Sequence, residues 1–121
     1  MPHLHIEYTE NLTGLNEREL MRELNAVICS QPSVTDEADV KTRIARLAMN
    51  NVYIGNHPDN RGFVHVELKL MAGRSPEAKK QMSDGMAEVL RRVVPPAADL
   101  MVQLSVDIAD MDKACYFKGR L

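Results

Sequence analysis

The chain opens Met-Pro-His-Leu-His-Ile-Glu-Tyr, and its second residue is the first chemical candidate. Removal of Met1 leaves the secondary amine of Pro2 as the chain terminus, and that amine is a base. An ordinary α-amino group has a pKa near ~8. Burial and neighbouring cations lower it, because both disfavour the charged form. A base tuned in this way can take a proton and return it near neutral pH, as the shift of a double bond requires. The proline ring also fixes the direction of the lone pair. A retained Met1 turns the same nitrogen into an amide, which is no base. His3 and His5 are the second candidate. One residue apart on a strand, they share a face. With His65 and Glu67 they form either a metal-binding set or a polar patch inside an oligomer. The two cysteines, Cys29 and Cys115, stand apart without metal spacing. They read as reduced thiols of a cytoplasmic protein, and Cys115 has no visible base beside it.

These groups need elements to hold them. Leu4, Ile6 and Tyr8 alternate with His3, His5 and Glu7, which predicts a strand over 3–8. The stretch LNERELMRELNAVICSQ predicts a helix. Asn16 caps it with Glu19 three residues on, Leu15 staples onto Leu20, and Leu20, Met21, Leu24, Val27 and Ile28 make one stripe. VKTRIARLAM returns to strand character, with Val40, Thr42 and Ile44 opposite Lys41, Arg43, Ala45 and Leu47. A short strand is expected at Val52–Ile54, inside the turn-rich NNVYIGNHPDNRG. FVHVELKLM is the clearest strand, with Val64, Val66, Leu68 and Leu70 facing the core. Ser75, Pro76 and Glu77 start a second helix, whose stripe is Ala78, Met82, Met86, Val89, Leu90 and Val93, and Pro95-Pro96 stop it. LMVQLSVDI is a last strand, followed by a mostly polar tail.

The order is β-α-β twice over. It predicts an α+β fold in which two such units, about 1–58 and 59–121 of a single domain, form one mixed sheet with both helices on one face. The other face would carry His3, His5, Glu7, His65, Glu67 and Lys69, too polar for an ordinary core and suited to the inside of an oligomer. Charge is balanced, 15 Lys+Arg against 17 Asp+Glu, which argues against a nucleic-acid partner. No apolar run approaches the ~20 residues of a membrane span, and no signal peptide is visible.

Two pieces, the Pro-led opening strand and FVHVELKLMAGRSPEAKKQM, together resemble the tautomerase superfamily. The pattern from MPHLHIEYTENL through VKTRIARL and GFVHVELKLMAGRS to CYFKGRL is similar to the 5-carboxymethyl-2-hydroxymuconate isomerase family over nearly the whole chain. The resemblance implies a homotrimer without metal or organic cofactor. It implies a 1,3-keto–enol isomerisation of a carboxylated muconate-type dienol, as in homoprotocatechuate degradation. It also implies site residues: Pro2 as general base and acid, Arg74 of the GRS turn on a substrate carboxylate, and Arg43 or Lys41 on another. Lysine at the second position lacks the guanidinium fork. Phe63 would supply an apolar wall. Two other readings keep the residues but not the reaction: a non-catalytic trimeric binding protein on the same scaffold, and a metal-binding protein using His3 and His5.

Overall fold

The computed structural model describes all 121 residues. Its strands are β1 (His3–Thr9), β2 (Lys41–Leu47), β3 (Arg61–Met71) and β4 (Met101–Met111), and its helices α1 (Glu17–Cys29) and α2 (Pro76–Val93). They form one sheet in the order β2-β1-β3-β4. β1 runs parallel to β2 and β3 parallel to β4, while β1 and β3 meet antiparallel at the centre. Each parallel pair is joined by its helix, which gives the two expected β-α-β units.

The period-2 pattern of the strands becomes the two faces of the sheet. Leu4, Ile6 and Tyr8 of β1 and Val64, Val66, Leu68 and Leu70 of β3 are buried under the helices. Leu20, Leu24 and Ile28 of α1 and Met82, Met86, Val89 and Leu90 of α2 close the core from above. Each such side chain contributes roughly 1.5–3 kcal/mol by leaving water. The caps are those the sequence predicts. Asn16 Oδ1 accepts from the Glu19 amide at 3.1 Å, and Ser75 Oγ accepts from the Ala78 amide at 3.1 Å. The opposite sheet face has no covering layer and carries His5, Glu7, His65, Glu67 and Lys69.

One expectation is corrected. Val52–Ile54 is not a strand; a 3₁₀ turn at Met49–Asn51 precedes irregular chain there. The Glu10 carboxylate accepts the Met49 amide at 2.9 Å, and both edges of β3, the strand that follows, are paired with β1 and β4. The mostly polar tail docks on the fold. After β4 it makes a 3₁₀ turn at Lys113–Cys115 and returns across the start of β1.

Candidate active site

Pro2 is buried at the head of β1, where proline's missing N–H costs the ladder nothing. Its carbonyl accepts the Lys41 amide at 3.0 Å, which docks the N-terminus against the first residue of β2. The antiparallel register pairs His3 with Lys69, so β3 ends beside residue 2. There Gly73, at φ 122°, takes a conformation that side-chain-bearing residues avoid, and turns the chain from β3 into α2. Arg74 follows directly. Its Nε and Nη2 donate to Ser33 Oγ at 3.2 and 3.0 Å, and its Nη1 donates to the Met71 carbonyl at 3.2 Å. No carboxylate pairs with it.

Residue 2 and Arg74 line one cavity of ≈ 270 Å³, with Ser33, Asp36, Asp39 and Lys118 among its walls. The sequence reading had none of these last four. Ser33, Asp36 and Asp39 lie in the loop between α1 and β2, and Lys118 lies in the tail. No periodicity or motif marks such positions; only the return of two distant segments brings them together. Lys118 donates to Asp39, and Arg120 reaches Asp36 at 2.6 Å. Both carboxyls are held below the ordinary range, Asp36 by the Ala38 amide and then Arg120, Asp39 by Lys118.

With Met1 in place, the terminal amine belongs to residue 1 and lies in the same cavity. Its pKa is lowered, first by burial, then by Lys118, with Arg74 and Lys41 adding to the effect and Asp39 opposing it. A hydrogen-bonded chain runs up to this terminus. Arg43 Nη1 donates to His5 Nε2 at 3.0 Å and to His3 Nδ1 at 3.4 Å. Guanidinium has no acceptor, so His3 accepts at Nδ1 and donates from Nε2 to the Tyr116 hydroxyl at 2.8 Å. Tyr116 in turn donates to the Met1 carbonyl at 3.4 Å. The pKa of His3 is lowered by burial first and then by Arg43.

The remaining candidates lie elsewhere in the chain. Arg43 sits on the uncovered sheet face with His3 and His5. Lys41 turns its ammonium to the Ala38 carbonyl and lines a separate groove beside α1. Phe63 stands at the far end of β3, six residues before Lys69, roughly 20 Å away at ~3.3 Å per residue. The 52–60 loop is at that far end as well, folded around Arg61, whose Nη1 donates to the carbonyls of Ile54 and His57 at 2.8 and 3.0 Å. His3 and His5 face a guanidinium rather than further ligands, and no group of three or more His, Cys, Asp or Glu side chains is arranged to hold a metal ion.

Two β-α-β units joined in one mixed sheet, with both helices on one face, make a tautomerase-type fold. A fused wild-type 4-OT symmetric trimer has the same fold, with a TM-score of 0.72 at 16% identity over 93% of this chain and 87% of that one. A 5-carboxymethyl-2-hydroxymuconate delta-isomerase shares it too, with a TM-score of 0.75 at 20% identity over 100% of this chain and 88% of that one. The family model described as 5-carboxymethyl-2-hydroxymuconate isomerase matches residues 2–120, and the chain belongs to that family. The crystal structure of such an isomerase from Deinococcus radiodurans R1 is 31% identical, with a TM-score of 0.87, over 99% of this chain and 90% of that one. Among curated proteins none gives a significant match.

Proposed function

We propose that the protein isomerises a carboxylated muconate-type dienol by 1,3-proton transfer, with the amine of Pro2 as the shuttle base. One observation carries the reading: residue 2 shares a small cavity with Arg74, whose guanidinium has no carboxylate of its own. Arg74 would anchor a substrate carboxylate beside the N-terminus of α2 and stabilise charge that develops in the dienolate-like transition state. The Pro2 amine would remove a proton from one end of the conjugated system and deliver it to the other. The burial and cations that depress the amine of Met1 surround residue 2 as well, which supports a base with a lowered pKa.

The proposal includes a homotrimer. Lys41, Arg43 and Phe63 lie outside this chain's own cavity, and the sheet face that carries Arg43 has no cover. In an assembly packed through that face, these side chains would complete the cavity of a neighbouring copy, Arg43 or Lys41 on a carboxylate and Phe63 as an apolar wall.

The deciding experiment compares chains that begin at Pro2 with chains blocked by acetylation or by Met1. On one dienol substrate, the unblocked chain should show kcat/KM rising with pH through a single ionisation below ~8. The blocked chain should keep its fold and lose nearly all activity, and Pro2→Ala, a primary amine, should keep some. Equal rates for blocked and unblocked chains would mean that another group is the base. An unblocked chain that binds carboxylates without turning them over would be a binding protein on this scaffold.

A further inference from the structure

The cavity holds a second cation, and it comes from the tail. Residues 112–121 form a strap anchored by long-range polar contacts. Tyr116 bonds to His3 and Met1, Lys118 to Asp39, and Arg120 to Asp36. Of the four charged tail side chains, Asp112, Lys113, Lys118 and Arg120, Lys118 alone lines the cavity that holds residue 2 and Arg74.

We propose that Lys118 is the second anion-binding residue of this cavity, so that it and Arg74 select a dicarboxylate over a monocarboxylate. The inference rests on the reading of the cavity as a carboxylate site. An ammonium has three donors, and Lys118 spends one of them on Asp39. The Lys118 side chain is 44% exposed, while that of Asp39 is only 15% exposed. The ammonium keeps donors free on its exposed side, so an incoming carboxylate shares it while Asp39 keeps its bond. Asp39 therefore keeps the cation at the wall while the cavity is empty. Arg74 offers a planar fork on a short, tethered turn; Lys118 offers a point charge on a strap. Two different cations at separate points of a ≈ 270 Å³ cavity suit a short acid with a carboxylate at each end.

The test uses the full chain and two unreactive acids, hexanedioate and hexanoate, with binding measured by calorimetry. Wild type should bind hexanedioate roughly 10-fold more tightly than hexanoate. Lys118→Ala should remove that preference by weakening hexanedioate alone, and Lys118→Arg should restore it. The idea fails if the preference survives Lys118→Ala, if wild type shows no preference or binds neither acid, or if the variant loses both acids alike, as a merely structural strap would. Because binding is read without turnover, failure of the Pro2 mechanism leaves this result distinct.

Discussion

Arg74 has five N–H donors and uses three of them on Ser33 and Met71. Its side chain is thus positioned before substrate arrives, with one N–H on each terminal nitrogen left for a carboxylate. Arg74→Ala should cost about 2–4 kcal/mol of transition-state stabilisation, roughly 30- to 1000-fold in kcat/KM. Arg74→Lys should recover only part, since the charge returns without the fork. Steady-state kinetics on a dicarboxylate dienol checks both, and an unchanged kcat/KM in Arg74→Ala would reduce the residue to a helix-end tether. Gly62 is a structural counterpart. A Cβ there would stand 2.8 Å from Thr9 Oγ1 and 2.9 Å from Asn11 Oδ1. Those side chains hold the Phe63 amide at 3.1 Å and the Arg61 carbonyl at 2.8 Å. Gly62→Ala should destabilise the fold by about 1–3 kcal/mol, read as a lower denaturant midpoint; a wild-type midpoint would show that the loop gives way freely.

The strap is the element whose behaviour follows most directly from its charges. Its three ion pairs, Lys118–Asp39, Arg120–Asp36 and Arg120–Asp39, require ionised Asp36 and Asp39. Both carboxyls have folded pKa values below their unfolded ones, so their contribution is complete above the ordinary carboxylate value of ~3.9. It is lost as pH falls from there through the lowered values. The tail should therefore stay ordered at pH 5 and detach in stronger acid, while the sheet and helices, held by a buried apolar core, outlast it. Side-chain carboxyl shifts of Asp36 and Asp39 in NMR, followed with backbone order over 112–121, would report this. A tail that stays ordered after both carboxyls have protonated would show that Tyr116 and packing hold it alone.

For the whole molecule, the unusual feature is a sheet with one covered face. The helices bury one side of β1 and β3, and the other side presents imidazoles, carboxylates and a guanidinium. Apolar side chains are also left out, with Phe117 88% and Tyr53 72% exposed. Both belong to segments that flank the sheet, where a neighbouring copy would cover them. The proposed active form should sediment as three chains, and dilution into monomers should abolish turnover before it unfolds the core. A monomer that keeps full activity at low micromolar concentration would place the whole site within one chain.

Local pattern alone determined much of this molecule. Alternation over 3–8 and 63–71 marked the two central strands, because a pleated strand exposes its faces with period two. Asn16, Ser75, Pro76 and the Pro95-Pro96 pair marked helix boundaries, because capping is chemistry between residues a few positions apart. The opening Met-Pro singled out Pro2, the family resemblance carried by the GRS turn added Arg74, and the antiparallel register of β1 and β3 brought them to one cavity. Tertiary structure decided the rest. Nothing local to Val52–Ile54 says that the Glu10 carboxylate will take the Met49 amide and that β1 and β4 will fill both edges of β3. Nothing local to Ser33, Asp39, Tyr116 or Lys118 says that a loop and a tail some eighty residues apart in sequence will close on residue 2. Nor does the Lys41/Arg43 alternation reveal that Arg43 will be drawn to two histidines on the uncovered face. Short-range pattern records what each residue does with its neighbours along the chain. A cavity wall is made where distant segments meet, and that meeting is set by the packing of the whole sheet.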